Sequence, residues 1–160
     1  MGVIEILTPE HVSVAGEAEG VVTSKRDAIH RLAALLALGQ KAVSAEEIEH
    51  VLNERERLQS TGVGGGVAIP HGPIDRLERT LGAVLLCPAS IDFDAIDGAR
   101  VTILFAVIGP RRATGEHLKT LARVSRLLRD DAFRARLVAA PTGREAFAVI
   151  AAEEGRTSIP

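Results

Sequence analysis

The sequence predicts a single α/β domain whose mixed sheet is covered by helices on both faces. Three observations lead there. Two runs, Leu81 to Cys87 and Val101 to Ile108, are nearly all apolar, so neither strand has a face to offer to water. Segments with helical periodicity and capping residues lie both before and after these strands. The length of 160 residues suits one domain with a sizeable core, without disulfides or a structural metal.

Taken in order, Val3-Ile4-Glu5-Ile6-Leu7 reads as a short strand. Ser24 is placed to cap a helix from about Lys25 to Leu38, with Ile29, Leu32, Ala33 and Leu36 on one face and Gly39 at its end. Ser44 and Glu47 form a capping-box pattern for a second helix running to about Leu58 and burying Ile48, Val51 and Leu52. Val67-Ala68-Ile69 is a short strand stopped by Pro70, and the two apolar strands follow, separated by an Asp-rich loop from Ser90 to Gly98. The last third is helical. Thr114 is expected to cap a helix from Gly115 to Arg129 with Leu118, Leu121, Val124 and Leu128 inward. Asp130 or Asp131 caps a short helix, and Thr142 with Glu145 opens the last one, which carries Phe147, Val149 and Ile150. The domain is expected to span residues 1–155, with a loose tail at 156–160. No internal repeat is evident.

Composition excludes several functions. With four Phe and neither Trp nor Tyr, the chain lacks the rings on which single-stranded nucleic acid stacks. Nineteen basic against twenty-one acidic residues, with no basic stripe, give polyanion binding no electrostatic support. The lone Cys87 sits in an apolar run and reads as a small core residue rather than a nucleophile. No signal peptide and no run approaching ~18 apolar residues is present, so a cytoplasmic protein without membrane insertion is expected. Asp92, Asp94 and Asp97 lack the companions of a metal site and read as an acidic turn. No cofactor and no metal is expected.

Of five histidines, His11, His30 and His50 read as solvated side chains. His71 differs. It follows Pro70 and the stretch Ser60 to Ile69, which has four glycines in five residues at 62 and 64 to 66, and it precedes Gly72-Pro73. Such flanks can hold an imidazole at a surface, and a neutral imidazole is a good nucleophile for a phosphoryl group. The alternative is a turn histidine that only donates a hydrogen bond, and local sequence does not separate the two. His117 falls at the third helical position if Thr114 is the cap, where helix N–H groups favour an anion; alternatively it is an ordinary polar residue of a first turn. Arg55, Arg57, Arg111 and Arg112 are candidate phosphate partners, each with a solvated charge as the default reading. The glycine stretch has neither the Lys-Ser/Thr ending of a P-loop nor a G-x-G-x-x-G spacing.

Arg55-Glu56-Arg57 followed by STGVGGGVAIPHG at 60–72 resembles the active-site segment of the enzyme IIA proteins of the phosphoenolpyruvate-dependent sugar phosphotransferase system. The likeness is to the fructose/mannitol class and its nitrogen-regulatory branch. Ile91 to Gly98 and Glu116-His117-Leu118-Lys119-Thr120-Leu121 agree in order and spacing. The resemblance implies a three-layer α/β/α sandwich. It implies that His71 accepts phosphate through Nε2 from a histidine phosphocarrier protein. It further implies that His117 supports the phosphorylated ring, that Arg55 lies near the site, and that Thr61 is placed to hydrogen-bond the histidine or its phosphate. Gly72-Pro73 departs from relatives with a basic or polar residue after the glycine, and Arg76 is the nearby candidate to restore charge. These 160 residues contain no membrane domain, phosphocarrier domain or cysteine-bearing transfer domain, which favours a regulatory carrier. The alternatives are a sugar-transport IIA component that passes phosphate to a IIB partner, and a binding module without phosphotransfer.

Overall fold

The computed structural model describes residues 2–157. Its sheet is mixed and six-stranded. β1 (Val12–Val14), β5 (Leu81–Ile91), β6 (Val101–Gly109), β3 (Val67–Ala68) and β2 (Gly62–Gly64) lie side by side in that order, and β4 (His71–Pro73) also pairs with β6. β5 and β6 form the antiparallel centre, from Leu81 opposite Ile108 to Leu86 opposite Ile103. β1 runs parallel to β5, and β3 and β4 run parallel to β6 one after the other.

The period of two along the central strands explains their unbroken hydrophobicity. Leu81, Ala83, Leu85 and Cys87 of β5, with Leu104, Ala106 and Ile108 of β6, pack under α1 (Lys25–Ala37) and α2 (Ala45–Leu58). Val84 and Leu86, with Ile103, Phe105 and Val107, face α3 (Thr114–Leu127), α4 (Asp131–Val138) and α5 (Gly143–Thr157). The expected α/β fold with a covered mixed sheet is therefore the observed one. No helix among the described residues is long and apolar enough to cross a membrane.

Most helix starts follow from their caps. Ser24 accepts from the Asp27 N–H, Ser44 from Glu47, Asp130 from Ala132 and Phe133, and Thr142 from Glu145. Glu47 itself goes to Arg76 rather than back to its helix start.

His11, read as solvated, is buried, with Nε2 3.2 Å from the Leu38 carbonyl oxygen. Three expectations about the elements are corrected. Val3–Ile6 is a 3-10 turn, not a strand: Val3, Ile6 and Leu7 are buried from one side, and the N–H groups of Val3 and Ile4 donate to the Glu154 carboxylate at 2.5 and 2.7 Å. The strand of this region is instead β1, three residues long and outside any alternating pattern. Second, Thr114 is not a cap. A 3-10 turn at Arg111–Ala113 leads straight into α3, so Thr114 is already helical and its hydroxyl donates to the Arg111 carbonyl. His117 is thus the fourth residue of α3. The inward stripe runs through His117, Thr120, Leu121, Val124 and Leu128, so Leu121, Val124 and Leu128 face inward as expected, but Leu118 is 61% exposed and His117 takes its place at the start of the stripe. Third, α5 continues through Thr157, so the start of the expected tail at 156–157 is helical; 158–160, like Met1, lies outside the described residues.

Candidate functional site

His71 opens β4, directly after Pro70, where the β3 line is interrupted and resumes against the upper half of β6. Pro70 has no N–H to give the ladder, but its carbonyl accepts from Val107. The half-buried His71 ring turns back on its own chain: Nδ1 lies 2.7 Å from the Ile69 carbonyl oxygen. A carbonyl only accepts, so Nδ1 carries the proton and Nε2 keeps its lone pair. The tautomer of a nucleophile is set here by two residues of sequence.

The glycine stretch works differently from its expected role beside the histidine. Gly64, Gly65 and Gly66 all have left-handed φ, at 102°, 66° and 81°, and form the tight turn between β2 and β3. This turn lies level with Thr102 and Ile103 of β6, whereas His71 pairs with Val107. At about 3.3 Å per residue the tip is roughly 13 Å from the histidine. Its N–H groups therefore do not cradle a group on His71. The tip is latched by Asp97, whose carboxylate accepts from the Gly65 N–H. The hairpin instead returns Thr61 to the site end of the sheet, where its carbonyl accepts from the Ile69 N–H at 2.9 Å.

α2 passes very close to β4. A Cβ on Gly72 would stand 2.5 Å from Val51 Cγ1. This contact explains a glycine after the histidine. Arg55, four residues beyond Val51 and so on the same helix face, is thereby brought to the site. Its Nη1 donates to the Gln59 carbonyl, which closes the end of α2, and its charge acts on His71. On the other side, α3 presents His117 with its ring centroid 5.9 Å from that of His71 at an interplanar angle of 51°. The Nδ1 of His117 is buried and finds no partner among the described residues.

Burial dominates the electrostatics of both rings. It lowers the His71 pKa below 6.5; the Ile69 hydrogen bond opposes this, the Arg55 charge adds to it and the Glu56 charge opposes it. His117 is lowered by burial and then by the charge of His71. Both imidazoles are therefore neutral at pH 7, and neutrality is what a nucleophilic Nε2 needs.

The structure brings His71, His117, Arg55 and Thr61 to one end of the sheet. The Thr61 hydroxyl, however, gives its proton to Glu56 rather than to the histidine, so its tie to His71 runs through the backbone. The other candidate cations are engaged elsewhere. Arg57 pairs with Glu54, Arg111 with Asp75, Arg112 with the Asp75 and Leu77 carbonyls, and Arg76 with Glu47 and the Ala42 carbonyl. Cys87 is buried among α1 and α2 residues, with its thiol pushed up to about 11 by desolvation. Asp92 and Asp97 accept from the N–H groups of Asp94 and Ala99, as turn residues do.

Glu56 is the residue that sequence reasoning passed over. Its side chain is only 5% exposed, it pairs with Lys25 Nζ at 2.9 Å, and it accepts both the N–H and the hydroxyl of Thr61. The signal was present: Ile48, Leu52 and Glu56 recur at intervals of four, which puts a carboxylate on the buried stripe of α2.

The family model for the phosphoenolpyruvate-dependent sugar phosphotransferase system, EIIA 2, matches residues 5–153. The nitrogen regulatory protein of Bradyrhizobium diazoefficiens is 37% identical over 153 residues, covering 94% of this chain and 95% of that protein. The nitrogen regulatory protein of Pseudomonas aeruginosa is 37% identical over 148 residues, covering 91% and 92%. The crystal structure of nitrogen regulatory protein IIA-Ntr from Neisseria meningitidis superposes with a TM-score of 0.81 at 32% identity, covering 92% of this chain and 98% of that one. The chain belongs to the EIIA 2 family of the phosphoenolpyruvate-dependent sugar phosphotransferase system, and within that family it is similar to the nitrogen regulatory proteins.

Proposed function

We propose that this chain is a phosphocarrier that accepts a phosphoryl group on Nε2 of His71 from a histidine phosphocarrier protein, and that it acts as a nitrogen-type regulatory IIA protein. The observation that carries the reading is the 2.7 Å contact from His71 Nδ1 to the Ile69 carbonyl, which leaves Nε2 free in a ring that is neutral at cell pH.

In the proposed step the Nε2 lone pair attacks phosphorus in line with the donor's nitrogen. The new N–P bond forms as the donor's N–P bond breaks, and that electron pair returns to the donor ring. The Nδ1 proton stays on His71, held by Ile69, so the acceptor ring takes up a positive charge and remains a good leaving group for onward transfer. Little covalent machinery is needed; positioning and donors for the equatorial oxygens carry the rate. Arg55, with one of its five N–H groups on Gln59, has others to offer. His117 serves as a neutral donor: with Nδ1 enclosed and without a partner among the described residues, its proton is better placed on Nε2, which can then donate a hydrogen bond to a phosphoryl oxygen. Thr61 supports the site by fixing Ile69. The step uses no nucleotide, metal or other cofactor. Donor and carrier meet in the cytoplasm in this reading.

The output follows from charge. A phosphoryl group brings about −1.5 to −2 to Nε2, offset in part by the positive charge of the ring, and the net negative charge and new acceptor oxygens are enough to switch an interface with a regulated protein. The family's sugar-transport members support a second reading, in which a IIB domain receives the phosphate. The deciding experiment incubates the protein with phosphoenolpyruvate, enzyme I and the phosphocarrier protein. We expect an acid-labile phosphate that His71→Ala abolishes, and equal labelling of that variant would overturn the assignment. Rapid onward transfer to a purified IIB domain would favour the transport role.

A further inference from the structure

A continuous set of contacts runs beneath the reacting ring. Lys25, the first residue of α1, lies 4.6 Å from the centroid of the Phe93 ring and 2.9 Å from Glu56. Asp94 stands further out, 3.9 Å from the same ammonium. Glu56 accepts the Thr61 N–H at 3.0 Å and the Thr61 hydroxyl. The Thr61 carbonyl accepts from Ile69, and the Ile69 carbonyl accepts from His71 Nδ1. A carboxylate this deeply buried is costly, because desolvation is repaid only when the charge is paired and hydrogen-bonded. Lys25 pairs with one side of this carboxylate, whose remaining contacts lead through Thr61 and Ile69 to the His71 ring.

The charged groups around His71 divide into two sets. Arg55 and Glu56 are neighbours on α2 and act on the ring with opposite signs; His117 faces it from α3, and Lys25 with Asp94 bears on it only through Glu56. Arg55 suits the phosphoryl oxygens, and Glu56 suits the ring once it turns cationic. We propose that Glu56 is a positioning residue for phosphoryl transfer, which fixes the His71 ring through Thr61 and Ile69 and stabilises the positive charge that ring acquires. This rests on the phosphocarrier reading. In the transfer, the Nε2–P bond forms, the donor's N–P bond breaks with its electron pair returning to the donor, and the Nδ1 proton stays on His71. One positive charge thus passes from the donor ring to the His71 ring, and Glu56 favours its arrival.

Two variants separate charge from geometry. Glu56→Gln keeps an oxygen to accept from Thr61 but removes the charge, while Thr61→Val keeps the charge and loosens the tie by removing its hydroxyl contact, the Thr61 N–H still reaching Glu56. The first readout is the NMR titration midpoint of the His71 ring in the free protein, which does not depend on phosphotransfer. Glu56→Gln is expected to lower it by about half a pH unit or more, with Glu56→Asp restoring most of the loss. The second is the equilibrium yield of phosphoprotein against the phosphocarrier, expected to fall about threefold to tenfold in Glu56→Gln. Thr61→Val is expected to slow transfer while leaving the midpoint within a few tenths of a unit. If Glu56→Gln does not fold, Lys25→Met provides the opposite test: unmasking the carboxylate should raise the midpoint. A folded Glu56→Gln with wild-type midpoint and yield overturns the proposal, as does an unmoved midpoint in Lys25→Met. Failure of the wild-type chain to take phosphate would overturn the phosphocarrier reading instead, and the titration would still report on Glu56.

Discussion

α2 and α3 reach the same histidine, but in opposite manners. α2 is clamped: Val51 lies where Gly72 leaves no room for a Cβ, Arg55 closes its last turn on Gln59, and Glu56 is buried against Lys25 and Thr61. α3 is looser. It starts from a 3-10 turn without a side-chain cap, exposes Leu118 beside the site, and leaves Nδ1 of His117 without a partner among the described residues. The contrast assigns the parts. The α2 side fixes the acceptor ring before any partner arrives, whereas the α3 side offers a donor, the Nε2–H of His117, that gains an acceptor when a phosphoryl group is present. Preorganisation on one side and adaptability on the other suit a residue that must both receive and release.

That comparison can be broken by substitutions on each side. The largest effect is expected for Gly72→Val, which forces α2 off β4. Overpacking of this kind costs about 1–3 kcal/mol, and phosphate acceptance should fall well beyond what the stability loss explains, measured by melting and by labelling side by side. Next is His117→Ala. Losing one preorganised donor should slow transfer by about 10²-fold while the acceptor still labels to completion, and unchanged kinetics would remove His117 from the site. Arg55→Ala should slow transfer about tenfold and shorten the phosphoprotein lifetime, since the charge on the phosphoryl side is lost. Removing that cation should also raise the His71 titration midpoint, the reverse of the shift expected for Glu56→Gln.

The pH dependence carries a sign. His71 is lowered below 6.5, mainly by burial, so Nε2 stays unprotonated as pH falls through 6.5, where an exposed histidine is already half charged. The rate of phosphate acceptance should hold through that point and drop only as the lowered pKa is reached. A profile with its midpoint at or above 6.5 would contradict the enclosed ring. The smallest effect is expected for Gly65→Ala at the hairpin tip. It forces a left-handed φ on alanine at a cost of about 1–2 kcal/mol, but should leave transfer untouched because the tip is remote from His71. A large transfer defect there would restore the glycine turn to the site.

The sequence made the frame legible where one force dominates. Two strands with no polar face predicted a sheet covered on both sides, and Ser24, Ser44, Asp130 and Thr142 marked helix starts because each carries its own acceptor. Short β1 was unreadable, since its pairing is decided by a parallel partner seventy-two residues away, at Val12 opposite Val84. The inward places of Leu121, Val124 and Leu128 in α3 were legible from their spacing, but its start was not: Thr114 looks like a cap, while the turn after Pro110 already leads into the helix and leaves Leu118 outside. At the site, His71 and His117 stand out by their flanks and helix position, and the specific resemblance of residues 55–57 and 60–72 to a family adds Arg55 and Thr61 and a role for His71, with His117 in a second agreeing segment. The role of the glycines was not legible: only the register against β6 shows that they make a distant turn. Nor was Glu56, whose burial depends on Lys25 arriving from another helix.

The central claim is that His71 is preset as a nucleophile through Nε2 because Ile69 holds its Nδ1 proton. The most direct measurement is long-range proton–nitrogen NMR of the His71 ring before and after phosphorylation. The expected result is a neutral ring with the proton on Nδ1 in the free protein, and phosphorus coupled to Nε2 in the phosphoprotein. A proton on Nε2 in the free form, or phosphorus on Nδ1, would contradict it.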